Sequence, residues 1–311
     1  MYILFGPDCM FKIAIVVPTY NGYNDVQRLL NALSLQHGEF DVLIVDSTST
    51  DGTSELLEKH ETVTHFFQVS TNTFNHGGTR QKVVDKYPDY DIYVFMTQDA
   101  YPSDRNAVRE IVDLFKDEKV GAVCGRQLPH LDADEFASHA RLFNYPDVSS
   151  VKAKSDIPLL GLKVPFISNS FSAYRKKALQ EVGGFPSDVI LAEDMYVAAK
   201  MVLLGWKIGY SANAQVHHSH NYSSLEEWKR YFDIGVFHSQ QPWIKRQFGG
   251  AGGEGMRFVK SELQYLQNKR QLWLTSILRN GGKLIAYKLG HVERLLPKWL
   301  KKRLSMHSRY W

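Results

Sequence analysis

A chain of 311 residues with 44% hydrophobic and 23% charged side chains has the composition of a folded protein, long enough for one large domain with or without a C-terminal addition. Its formal charge of +4 is too small to argue for nucleic acid, and no nucleic-acid partner is expected. No apolar run approaches the roughly 18 to 20 residues that cross a bilayer, and two cysteines, Cys9 and Cys124, are too few for a disulfide framework or zinc site; reduced thiols and a cytoplasmic location are expected.

The β-branched run KIAIVVPTY at 12–20 predicts a strand, and Val26, Leu29, Leu30 and Leu33 recur at helical spacing behind Asn24 or Asp25 as a cap. Further strands are expected at 40–46 (FDVLIVD), 62–69 (TVTHFFQV), 90–96 (YDIYVFM) and 120–125 (VGAVCG), alternating with helices at 53–60, 77–87 and 104–117. Strands apolar on both faces in a βα repeat predict a mostly parallel sheet between helical layers, with Cys124 in the core. Residues 127–166 read as loops with a short helix, the kind of long connection that binds or covers a ligand. Regular structure returns at 166–175, in helices at 176–182 and 193–205, and in a strand at 207–211. From Leu225 the chain reads as helical, interrupted by FGGAGGEG.

In sheets of this type ligands bind at the carboxyl ends of the strands. The loops there are PTYNG, DSTSTDGT, STNTFNHGGTR and TQDAYP. Each also fits plain turn chemistry: Asp51, Gly52 and Thr53 satisfy an Asx turn and helix cap without any ligand. Asp99, flanked by Thr97 and Gln98, reads as a cation ligand or a turn brace. Two glycines and Arg80 in NHGGTR suit a phosphate, or Arg80 forms a surface ion pair. Glu193 and Asp194 at a helix start complement its dipole, which leaves a catalytic role open.

The motifs IVVPTYNG, VDSTSTDGT, TQDA, and GGFP followed by AEDMYVAAKMVLLGWKIGY stand in order over residues 12–220. Together they resemble the inverting family 2 glycosyltransferases of the GT-A fold. FNHGGTR, TQDA, HHSHNYS and FDIGVFH are similar to the rhamnosyltransferase branch, which uses dTDP-L-rhamnose to build bacterial surface polysaccharides. The resemblance implies an α/β, Rossmann-like GT-A unit over 1–222, with a mixed, mostly parallel sheet, and a helical region over 223–311. It implies transfer of L-rhamnose from dTDP-β-L-rhamnose to a hydroxyl of a lipid-linked saccharide. A UDP-hexose or UDP-N-acetylhexosamine donor, and a non-catalytic partner in polysaccharide assembly, remain alternatives. A nucleotidyltransferase is disfavoured because PTYNG lacks a glycine-rich loop with a basic residue.

Residue by residue, Asp194 matches the family's catalytic carboxylate, which deprotonates the acceptor hydroxyl, and Glu193 positions Asp194 or the acceptor. Pro18, Thr19 and Tyr20 line the base and ribose, and Asp46 accepts the imide N–H of uracil or thymine. Arg80 meets the diphosphate, and Gln98 joins the donor-binding set. Asp99 matches the second acid of the Asp-x-Asp pattern, and Thr97 stands in place of the first, so metal affinity without donor is expected to be weak. His218 or His220 supplies a further ligand to Mg²⁺ or Mn²⁺. Phe171, Tyr174 and Trp206 are read as core.

If 283–304 is helical, Ile285, Leu289, Val292, Leu296 and Trp299 recur in steps of three and four, with Lys288, Arg294, Lys298, Lys301 and Lys302 mostly elsewhere. A basic amphipathic segment suits an anionic membrane surface and fits a polyprenyl-diphosphate-linked acceptor, with the protein peripheral on the inner face of the bacterial plasma membrane. Packing on its own domain or a second subunit is the alternative, and Pro297 argues for a kink. The oligomeric state, a homo-oligomer included, stays open.

Overall fold

The computed structural model describes residues 2–4, 10–250 and 253–311; Cys9 and part of the glycine-rich segment lie outside them. Strand β1 (Tyr2–Leu4) pairs antiparallel with β2 (Met10–Thr19). Then α1 (Tyr23–Ser34), β3 (Asp41–Asp46), α2 (Thr53–Lys59), β4 (His65–Gln68), α3 (His76–Lys86) and β5 (Ile92–Met96) follow in the expected alternation. Strands β4, β3, β2 and β5 are adjacent in that order and parallel.

The chain continues through β6 (Tyr101–Pro102), α4 (Ala107–Asp113), β7 (Val120–Leu128), α5 (Glu135–Asn144), β8 (Ser150–Lys152) and α6 (Ile157–Leu160). It returns in β9 (Phe171–Arg175), α7 (Lys176–Glu181), α8 (Glu193–Leu203) and β10 (Lys207–His217). The sheet order is β4-β3-β2-β5-β9-β7-β10-β6. It is mixed as expected: β9 runs antiparallel between β5 and β7, whereas β10 is parallel to β7. The first residue of β9, Phe171, pairs with the last of β5, Met96. That reversal delivers the residues just before β9 to the edge where the parallel strands end. Strand β10 outruns the expected 207–211 and carries the chain to His217 at the same edge.

Both faces of the sheet are covered. Ile13, Ile15 and Val17 pack with α1, α2 and α4, whereas Ala14 and Val16 pack with α3, α7 and α8. This is why the strands read as unbroken apolar runs. Phe171 and Tyr174 are fully buried, and Trp206 donates to Glu181. Burial also pushes the free Cys124 thiol up to about 12.

Helices α9 (Ser224–Gln240) and α10 (Pro242–Phe248) contribute Phe232, Val236, Phe237, Ile244 and Phe248 to the second of these cores. They are followed by α11 (Glu254–Tyr265), α12 (Trp273–His291) and α13 (Lys298–Leu304). Helices α9 and α12 touch backbone to backbone: a Cβ on Gly235 would lie 2.1 Å from the Tyr287 carbonyl, and one on Gly290 2.0 Å from that of Phe232. The segment 283–304 is therefore two helices, with Pro297 capping the second. Leu289 and Leu296 turn inward, while Ile285, Val292 and Trp299 stay exposed. Among the described residues no helix is long and apolar enough to cross a membrane.

Candidate active site

The loops after β2, β3 and β5 are stitched together by side chains. Gln98 accepts from the Tyr20 N–H at 2.8 Å and donates to the Tyr20 carbonyl at 3.2 Å. Asn21 N–H donates to Ser49 Oγ, and Thr50 N–H to Asn21 Oδ1. Asp51 accepts from Thr53 and from the Tyr23 N–H, so it is a structural turn residue. Asn21 and Thr48 both have positive φ, 42° and 59°, a strain that persists where neighbours hold the backbone firmly.

Asp46 is fully buried. It accepts from Thr19 Oγ1 at 2.8 Å, Ser49 Oγ at 2.6 Å, Ser49 N–H at 2.8 Å and Ser54 Oγ at 2.9 Å. Four donors fill the carboxylate's lone-pair positions, so Asp46 braces the β3–α2 loop, and a nucleobase N–H would have to displace one of the hydroxyls. Thr19 is buried with it, Pro18 is half-buried, and Tyr20 is exposed beside them.

At the ends of β5 and β10 the structure brings together Asp99, His218 and His220. Asp99 Oδ2 lies 3.6 Å from His218 Nε2 and 3.7 Å from His220 Nδ1, and one ligand atom from each residue falls within a 4.8 Å group. Gln127 Oε1 accepts from Arg141 and lies 2.9 Å from His218 Nδ1. An oxygen already accepting from Arg141 accepts a hydrogen bond from the His218 Nδ1–H as well, which leaves the Nε2 lone pair facing Asp99. Burial first, then the charges of His220, Arg141 and their neighbours, holds the His218 imidazole well below its ordinary range, hence neutral. Two imidazoles and a carboxylate at this spacing are a donor set that fits a divalent cation.

The third cluster stands at the N-terminus of α8. Ala192, at φ 59°, turns the chain so that Glu193 and Asp194 open the helix. Glu193 pairs with Arg80 at 2.9 Å, both side chains being almost fully buried. Burial alone would raise the Glu193 carboxyl, but Arg80 foremost, then His76 and the Asn169 amide, pull it below its usual range. Asp194 is pushed the other way: burial first, then the charge of Glu193, raises it to about 6, against N–H donors from Asn169 and Met195. Adjacent acids thus acquire different tasks, Glu193 held ionised as a brace and Asp194 poised to take a proton near neutral pH.

The expectation that Arg80 meets a diphosphate differs from what is found. Its guanidinium is 4% exposed and reaches Glu193 and the His76 carbonyl. Two residues that sequence reasoning missed hold the site. Asn169 donates its backbone N–H to Asp194 and its amide to Glu193, and its own oxygen accepts from Ser172 and Tyr174. Gln127 orients His218. Each is a single polar residue in an unremarkable stretch.

Solved structures share this architecture. The mannosyltransferase PcManGT from Pyrobaculum calidifontis, in complex with GDP-Man and Mn²⁺, superposes with a TM-score of 0.65 at 18% identity, covering 92% of this chain and 87% of that one. The S. aureus TarS 1–349 structure gives 0.52 at 16% identity, with 91% of each chain covered. Sequence relatives are nearer. The O-antigen chain rhamnosyltransferase RfbN of Salmonella typhimurium is 48% identical over 302 residues, 96% of both chains. The O-antigen chain rhamnosyltransferase WbaN of Salmonella anatum is 46% identical over 305 residues, 97% of this chain and 96% of its own. The family model "Glycosyl transferase family 2" matches residues 14–183, a span that carries the stitched loops after β2, β3 and β5, with Asp99. With that match and near full-length relatives at this identity, the chain belongs to glycosyl transferase family 2 and is a glycosyltransferase.

Proposed function

We propose that the protein is an inverting, metal-dependent rhamnosyltransferase that moves L-rhamnose from dTDP-β-L-rhamnose to a hydroxyl of a lipid-linked saccharide in O-antigen synthesis. The observation that carries the sugar assignment is the 48% identity, over 96% of both chains, to an O-antigen chain rhamnosyltransferase.

Asp194 is the base. It takes the proton of the acceptor hydroxyl while that oxygen attacks the anomeric carbon on the face opposite the diphosphate; the carbon–oxygen bond to the diphosphate breaks, its electron pair leaves with dTDP, and the new linkage is α. Asn169 holds Asp194 in place through its backbone N–H, and burial, followed by the charge of Glu193, keeps the Asp194 carboxyl raised against the opposing pull of Asn169 and Arg80. The donor lies across the loops after β2, β3 and β5, where Pro18, Thr19 and Tyr20 line the nucleoside. Gln98 fixes the Tyr20 backbone, and Asp46 meets the base once one of its hydroxyl partners rotates away. Asp99, His218 and His220 would hold a divalent cation, which when bound would supply positive charge to stabilise the departing diphosphate. Imidazole nitrogen suits Mn²⁺ better than the harder Mg²⁺. The lipid carrier of the acceptor places the enzyme peripherally on the inner face of the plasma membrane.

Calorimetric titration with dTDP and with UDP, each with and without Mn²⁺, tests the donor. Metal-dependent preference for dTDP, followed by an α-linked product from dTDP-β-L-rhamnose, is expected. Preference for UDP would keep the family and replace the sugar, and a β-linked product would contradict inversion.

A further inference from the structure

Helix α12 is built with its polarity reversed. The side packed against the protein carries Ser276, Asn280 and Lys283 beside the apolar Ala286 and Leu289 and the contact glycine Gly290, whereas the side toward solvent carries Leu274, Ile277, Leu278, Leu284 and Ile285, each between 53% and 67% exposed. At 3.6 residues per turn these five, with Gly281 and Lys288, share one arc of the helix. A surface helix of a water-soluble protein has the opposite arrangement.

The orientation is fixed by buried polar groups. Lys283 Nζ lies 2.9 Å from Glu227 Oε1, and Arg279 donates to the other oxygen of Glu227 at 2.8 Å. Asn280 and Ser276 both donate to Glu262, which is 1% exposed. Rolling α12 to bury its leucines would strand Lys283 and two inward carboxylates without partners. The outward apolar face is therefore held in place.

Charge identifies what covers it. Between residues 266 and 311 the one acid is Glu293, and it is buried and paired with Lys301. Lys288, Arg294, Lys298, Lys302 and Arg303 are exposed and stand in no ion pair among the described residues. Between them lie Val292, Leu295 and Trp299, from 46% to 83% exposed. A second copy meeting this face through a two-fold axis would set like charges against each other. A bilayer with anionic headgroups matches both the leucines and the cations.

We infer that the outward face of α12, with the basic segment 288–303, docks the enzyme on an anionic lipid surface. The inference rests on the reading of a membrane-held acceptor and names the surface that brings the enzyme to it. Flotation of the full chain with vesicles of phosphatidylglycerol and phosphatidylcholine, and of phosphatidylcholine alone, tests it. Binding to the anionic vesicles is expected, with little to the neutral ones. The combined Lys298→Gln, Lys302→Gln and Arg303→Gln variant should bind on the order of a hundredfold more weakly. Leu278→Asp with Ile285→Asp should also release the protein, and neither variant should change transfer to a soluble acceptor, which reads the reaction separately. Wild-type protein that ignores anionic vesicles, or an aspartate variant that binds them unchanged, would overturn the inference. So would a wild-type dimer that the aspartate variant converts to monomer, because that outcome assigns the face to a second copy.

Discussion

At the start of α8, Glu193 is held ionised by the Arg80 guanidinium at 2.9 Å, and the neighbouring Asp194 is raised to about 6, by burial first and then by the charge of Glu193. At the ends of β5 and β10, by contrast, Asp99 faces two imidazoles that burial holds below their ordinary range, at 3.6 and 3.7 Å. A neutral imidazole offers a lone pair and no compensating charge. In the reaction proposed above the first region acts as the base without a ligand, and the second would be completed by a cation that accompanies the donor. That division matches a reaction in which proton removal and diphosphate departure occur at opposite faces of one sugar carbon.

Substitutions should separate the two regions. Asp194→Asn should lower transfer by roughly 10²–10⁴-fold with donor binding by calorimetry nearly unchanged, and a rate close to wild type would remove Asp194 as the base. Glu193→Gln leaves Arg80 buried without its anion, so denaturant unfolding should report a loss of roughly 3–5 kcal/mol. It also removes the charge that helps raise Asp194, and the acid limb of kcat/KM should move to lower pH. Asp99→Ala should weaken Mn²⁺-dependent donor binding by more than the roughly 10–100-fold that losing a ligand's hydrogen-bond partner costs; an unchanged metal requirement would move the ion elsewhere. Gln127→Leu should fall within that 10–100-fold range for Mn²⁺ affinity, without moving the pH dependence set at α8. Should Gln127→Leu shift that limb, the separation of the two regions would fail.

What the sequence disclosed follows from where each signal lies. Asp99 stands out because an acid just after an apolar strand lies at the ligand-binding edge of an α/β sheet, whereas HHSH offers His218 and His220 only as further ligands, because the strand that carries them to that edge is expected to stop at 211. The antiparallel entry of β9 was not legible, since a buried strand looks the same in either direction. Asn169 was hidden with it, because its role depends on being carried to that edge. Arg80 sits in a stretch that reads as a phosphate loop, yet α8 closes over it and supplies Glu193 from 113 residues away. The spacing of Ile285, Val292 and Trp299 picked out exposed apolar residues in the C-terminal segment, but it also swept in Leu289 and Leu296, which pack inward. Periodicity shows which residues share a face; the neighbours decide which way it points.

The most direct measurement of the central claim is kcat/KM for transfer against pH, from about pH 5 to 9, with saturating Mn²⁺ and a soluble acceptor. On the proposed mechanism Asp194 works only when ionised, so the rate should be level above neutrality and fall as pH drops through about 6, with the slope of a single protonation. A rate that stays level down to about pH 5 would contradict the raised carboxyl and, with it, Asp194 as the base.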